Sequence, residues 1–222
     1  MLKNIFFRRT LAFSVLCFLA LFFFSCSDST PKMGTVNATL IYDFSETSQP
    51  YTQRLSVFVH PMSDERRLSS IRISCEKNGY EWFVDEPNRV DSGKNAYFGS
   101  WNLVYPDGKA FEEGKYTISF KDLADREVSS TFTLKTLDSM KPKNGKFVRS
   151  RDVVTGFAGT ECSLKRVILY DDADSELYCG LYNFMFEHKD DLKENFPTAK
   201  KFRIYYVNKD NTCVIMMPAE KI

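Results

Sequence analysis

The chain holds two histidines, His60 and His188. A serine or cysteine nucleophile needs a base within hydrogen-bond reach, so any hydrolytic site would have to use one of them. His60 stands before Pro61 at the end of an alternating run, and His188 opens the charged stretch HKDDLKEN. No serine lies in a Gly-x-Ser-x-Gly elbow. The densest group of possible oxygen ligands is Asp171-Asp172-Ala173-Asp174-Ser175-Glu176. An EF-hand loop needs glycine at its sixth position and glutamate at its twelfth. Counted from Asp172, those positions hold Leu177 and Asn183. The segment is read as a solvated turn, with a looser calcium turn through Asp172, Asp174 and Glu176 as the competing reading. There is no Walker motif and no Gly-x-Gly-x-x-Gly loop. The chain is therefore expected to be no enzyme, with no catalytic residue, metal ligand or cofactor.

The aromatic residues suggest binding instead. Tyr80, Trp82, Tyr97, Trp101 and Tyr105 could stack against sugars or a peptide. Their spacing of two is explained more simply by a packed core. Arg66 and Arg67 beside Asp64 and Glu65 read as a solvated loop tip of mixed charge.

The elements that would position these groups are strands. Apolar and polar residues alternate through Ala38–Tyr42, Leu55–Val59, Ile71–Cys75, Tyr80–Val84, Trp101–Tyr105, Tyr116–Phe120 and Val128–Leu134. A period of two is the signature of half-buried strands. Lys77-Asn78-Gly79 and Pro106-Asp107-Gly108 supply turns between them. About seven short strands in roughly 100 residues meet the criterion for an immunoglobulin-like sandwich. Within them, Glu113-Gly114-Lys115-Tyr116-Thr117-Ile118 resembles the Gly-x-Tyr-x-Ile strand of bacterial immunoglobulin-like and fibronectin-III-like modules. The resemblance implies that the Tyr116 hydroxyl bonds back to the preceding corner. The Cys–Trp–Cys spacing of antibody domains is absent.

The expected fold class is mainly β: an immunoglobulin-like antiparallel sandwich over 34–137, then a small mainly-β (α+β) domain over 148–222. The polar segment DSMKPKNGK opens a linker placed at 138–147. In the second domain, Val167–Tyr170 and Leu177–Phe186 read as one hairpin, and Phe202–Val207 with Thr212–Met217 as another. His188–Asn195 is read as a short helix, stopped because the residue before Pro197 disfavours helical backbone.

The N-terminus carries an address. Lys3, Arg8 and Arg9 precede Leu11–Phe24, a mostly apolar run, and Ser25 precedes Cys26. The run is too short to span a ~30 Å hydrocarbon core as a helix, and the pattern is that of an export signal. With cysteine at the cleavage point it resembles a bacterial lipoprotein signal, although Phe23 and Phe24 depart from the strict motif. The resemblance implies removal of residues 1–25 and lipidation of Cys26 through a diacylglycerol thioether and an acylated amine, palmitate among its acyl chains. Residues 26–33 would form a lipid-anchored tether. The chain would then be exported to the bacterial cell membrane or outer membrane. In the enteric lipoproteins it resembles, aspartate after the cysteine retains the protein at the inner membrane, so the resemblance with Ser27 at that position implies the outer membrane.

The full chain has 30 basic and 29 acidic residues, and the signal contains three of the basic ones. The remainder, at −2, offers no basic excess to bind nucleic acid. Its expected partners are the membrane, through the lipid, and a protein or glycan. Beyond Cys17 and Cys26, the cysteines are Cys75, Cys162, Cys179 and Cys213. Four cysteines allow three pairings. A Cys179–Cys213 disulfide is expected, against the competing reading of buried free thiols.

Overall fold

Alternation and turns produce eight strands in the first part of the chain. They are β1 (Met33–Asp43), β2 (Thr52–Pro61), β3 (Leu68–Cys75), β4 (Glu81–Val84), β5 (Asn88–Ser92), β6 (Asn95–Leu103), β7 (Gly114–Asp122) and β8 (Glu127–Leu134). A computed structural model describes residues 30–45, 50–63, 65–142, 146, 148–150, 152–153 and 162–222. The Lys77-Asn78-Gly79 turn joins β3 to β4, with Gly79 at a φ of 70°. β5 is not evident in the sequence because NRVDS is polar and largely exposed. It pairs with β6 across a tight turn at Gly93, whose φ is 62°.

The fold is mainly β, in two sheets. The order β1-β2-β6-β5 faces β4-β3-β7-β8. This is the division of strands A, B, E and D from C, F and G in a constant-type immunoglobulin sandwich, with β4 added beside the C strand. Leu40, Tyr42, Leu55, Val57 and Val59 from the first sheet meet Ile71, Ile73, Tyr116, Ile118 and Phe120 from the second. All ten are essentially solvent-free, and each aliphatic side chain so buried contributes about 1.5–3 kcal/mol. The Tyr116 hydroxyl donates to the Glu112 carbonyl at 2.8 Å, the corner contact expected of it. Gly99 lets β6 approach β2 closely. A Cβ there would lie 1.9 Å from the Val57 carbonyl oxygen.

The later strands are β9 (Cys162–Tyr170), β10 (Glu176–Leu181), β11 (Lys201–Asn208), β12 (Cys213–Met216) and β13 (Glu220–Lys221), with helix α1 (Lys189–Asn195) before β11. The expected hairpins and helix are present, but the arm read over Leu177–Phe186 is a strand only to Leu181, and Phe184–Glu187 is a 3-10 turn. The expected boundary between domains, however, does not separate two sheets. β12 runs parallel to β1, pairing Leu40 with Cys213 through Asp43 with Met216. The large sheet therefore runs β10-β9-β11-β12-β1-β2-β6-β5, with β13 beside β11. Pro31–Ile222 forms one compact unit. The physical reason is the edge of the sandwich: unpaired N–H and C=O groups along β1 would otherwise be left open. Leu40 N–H donates to the Thr212 carbonyl at 2.8 Å, and Phe44 N–H to the Met216 carbonyl at 3.0 Å.

The segment read as a polar linker also contributes to the core. Met140 is buried in it, beside Leu137 at the end of the sandwich segment. Leu137 N–H donates to the Tyr42 hydroxyl at 3.0 Å, and the Tyr51 hydroxyl donates to the Met140 carbonyl at 2.5 Å. A second, smaller core joins Val167, Leu169 and Phe202 to Phe186, Leu192 and Ala199, under α1 and the turn before it.

Candidate functional site

Period-two geometry gives the large sheet two faces with different partners. The first face carries both cores. Cys213, Ile215 and Tyr206 enter the sandwich core, Val167, Leu169 and Phe202 enter the smaller one, and Ile204 touches both. The four-stranded sheet and α1 thus pack on the same side. Among the described residues, the opposite face is left to the side chains of the sheet itself.

That second face can be read from the register. Arg166 opposes Tyr205, and Tyr205 opposes Met216. Met216 opposes Asp43, Val214 opposes Ile41, and Ile41 opposes Arg54. Phe58 opposes Gly99, and its ring lies 5.4 Å from that of Trp101. Ile41, Phe58, Val207 and Met216 are buried here although they belong to neither core. Trp101 keeps 46% of its surface exposed.

Charge on this face is concentrated in guanidinium groups. Arg203 Nη2 lies 2.5 Å from one oxygen of Asp43, and Arg54 Nε lies 3.4 Å from the other. Arg54 also donates to the Trp101 carbonyl at 3.0 Å, and Arg203 to the Met217 carbonyl at 2.8 Å. One carboxylate therefore holds two cations across four strands. Arg166 is different. Its Nε is buried and has no hydrogen-bond partner among the described residues, while its guanidinium carbon lies 5.8 Å from the Tyr205 ring centre. Burial pushes the Tyr205 phenol well above its usual range, and its hydrogen bond with the Cys179 thiol at 3.3 Å adds to the rise. Burial raises Tyr170 as well, partly offset by Arg203. Both phenols are neutral near pH 7 and able to donate.

The residues singled out in the sequence are dispersed. Tyr80, Trp82 and Tyr105 form a ring cluster with Phe111 inside the sandwich, and Trp82 Nε1 donates to the Val104 carbonyl at 2.9 Å. Of the five aromatic residues considered as a platform, only Tyr97 and Trp101 lie on the second face. His60 Nδ1 is 2.9 Å from the Ala96 carbonyl, which only accepts, so Nδ1 carries the proton. His188 is exposed and precedes α1. Asp171 accepts from the backbone N–H of Ala173 and Ser175, and Asp174 pairs with Lys201, so the acidic segment is organised as a turn. Among the described residues, no three His, Cys, Asp or Glu side chains are grouped to hold a metal ion. Glu65 pairs with Arg89, and Arg67 with Asp122, at the loop tip read as solvated.

The expected Cys179–Cys213 disulfide is not formed. β10 and β12 are separated by β9 and β11. Three strand spacings are about 14 Å, twice the reach of a disulfide. None of Cys75, Cys162, Cys179 and Cys213 is in a disulfide, and Cys75 and Cys213 are buried. Cys26 lies outside the described residues.

The arginines are what sequence reasoning missed. Arg203 stands between Phe202 and Ile204 in an apolar run, which was an available signal; Arg54 follows Thr52-Gln53 and Arg166 follows Lys165, so neither stands out in the sequence. A second candidate, a shallow depression of about 240 Å³ on the outer side of the four-stranded sheet, is lined by Arg72, Phe83, Lys121 and Glu127. Its Arg72 is already paired with Glu127 at 2.8 Å. No family model, curated protein or solved structure matches the chain.

Proposed function

We propose that this is an exported, lipid-anchored protein of the bacterial envelope that works by recognition rather than catalysis. Two features support the address: the Lys3–Phe24 pattern and Ser25-Cys26 at its end. Lipid attached at Cys26 would hold the chain at a membrane, since two or more acyl chains give stable anchoring. The observation that carries recognition is the second face of the large sheet. It gathers Trp101, Phe58, Tyr205 and three guanidinium groups, with neither the second sheet nor α1 over it.

Oxidative footprinting tests the surface and needs no identified partner. Trp101 should be protected in native envelopes relative to the purified protein. Phe83, on the outer side of the other sheet, should label equally in both. Equal labelling of Trp101 in the two settings would remove the recognition surface. The anchor is tested separately: Cys26→Ser should move the protein out of the membrane fraction. Retention there would overturn lipidation.

A further inference from the structure

Among the described residues, Arg166 is a guanidinium without a counterion. Its Nε is buried with no hydrogen-bond partner there. Its nearest aromatic group is Tyr205, and across β10 it opposes Leu181. Buried donors are nearly always paired, because an unpaired one carries its full desolvation cost. The sealed Nε leaves the Nη groups of this guanidinium, which has no carboxylate of its own among the described residues, to meet one arriving from outside the chain.

The rest of the face agrees in sign. Arg54 and Arg203 share the single carboxylate of Asp43, and the Lys201–Asp174 pair is balanced. Glu176, at the outer margin on β10, is a further acid acting on Tyr205 and Tyr170. Guanidinium groups therefore outnumber carboxylates along the described middle of the sheet.

Resting on the recognition surface described above, we propose that Arg166 anchors an acidic glycan laid across the second face, with a uronic carboxylate on the guanidinium. A glycan fits better than an acidic peptide. The interior strands already use their backbone N–H and C=O groups in the ladder, so an extended peptide would find no main-chain partners; peptides add at sheet edges. A sugar needs only side chains: aromatic faces for its C–H groups, and hydroxyl or guanidinium donors for its oxygens. Trp101 on β6 and Arg166 on β9 are five strand spacings apart, about 24 Å. An oligosaccharide several units long would span them.

The test uses the full-length protein in detergent, titrated calorimetrically with polygalacturonate, neutral dextran and poly-glutamate. Polygalacturonate should bind, more weakly as salt rises, and dextran should not. Arg166→Gln should weaken polygalacturonate by about tenfold or more, the loss of one charge-assisted hydrogen-bonded contact. Arg72→Gln, on the other sheet, should leave it unchanged. Unaltered affinity in Arg166→Gln, or preference for poly-glutamate, would overturn the proposal. If Arg166→Gln does not fold, arginine-selective dicarbonyl labelling of the wild type decides: polygalacturonate must slow modification of Arg166, and an unchanged rate overturns the proposal. Trp101 protection in envelopes combined with no role for Arg166 would remove the acidic glycan and leave the recognition surface standing.

Discussion

The two halves of the large sheet bury the same face by different means. β1, β2 and β6 are backed by a second sheet, and their core is built from large aliphatic and aromatic side chains, including Tyr42, Phe44 and Tyr116. β9 and β11 are backed by one seven-residue helix and a turn, over six buried residues. A helix that short has no stability of its own in water. The second half is therefore held chiefly by pairing along β12 and β1 and by Ile215 and Cys213, which enter the larger core. The second half is thus an extension of the sandwich rather than a neighbour of it.

The largest effect is expected at Gly99. Gly99→Val should abolish folding of both halves, since the new side chain would begin inside the Val57 carbonyl. Soluble yield and the far-UV spectrum check it; a folded first half would show that β2 and β6 can separate. Next is Ile215→Ala, at the junction. It should cost about 2–5 kcal/mol and lower one shared calorimetric transition. Two separate transitions in the wild type would restore an independent second domain.

Leu192→Ala should cost less, about 2 kcal/mol, because only the small core loses contacts. Hydrogen exchange should speed up in β9 and β11 and remain slow in β3 and β7. Equal acceleration in all four would erase the contrast between the halves. Tyr116→Phe should cost about 1 kcal/mol, the net worth of one hydrogen bond, and confine the effect to the sandwich.

The tyrosines also predict an alkaline limit. Burial raises the phenols of Tyr42 and Tyr116 far above the usual value of about 10. The folded state thus favours the protonated form. Its contribution is complete below about pH 10 and is lost as pH rises from there toward the folded-state values. Melting temperature should fall above that pH, together with delayed phenolate absorbance. Phenolate appearing at the ordinary pH with no change in melting temperature would contradict the burial of these rings. At the acid end, burial opposes the charge on Asp122. The Arg126 guanidinium and the N–H groups of Ala124 and Arg126 outweigh it and hold the carboxyl below its usual range. That contribution is present above about pH 4 and is lost as pH falls through the lowered value. Asp122→Asn should weaken the acid dependence of melting.

Local features are legible to different degrees. The Asn78-Gly79 hairpin, the Tyr116 corner and the helix ending before Pro197 follow from short-range rules about φ, alternation and capping. β5 is hidden because an edge strand need not be apolar. Met140 reads as part of a polar linker because one apolar residue among lysines, Asp138, Ser139 and Asn144 carries no period. Trp82 and Trp101 share the same alternating texture. Trp82 is inside the sandwich and Trp101 is half exposed on the other side of the large sheet.

Residue order alone settled that this chain is mainly β, where most of its turns lie, and which residues of a given strand share a face. Those are properties of neighbours in sequence. Only the tertiary structure decided that β12 lies beside β1, that Cys179 and Cys213 are three strands apart, and that Arg54, Arg166 and Arg203 share one face. Alternation specifies which side a residue occupies but not which strand lies next to it. The ladder hydrogen bonds that choose a neighbour are chemically identical along every strand. The choice falls to the packing of Cys213 and Ile215 into a core built by residues far earlier in the chain.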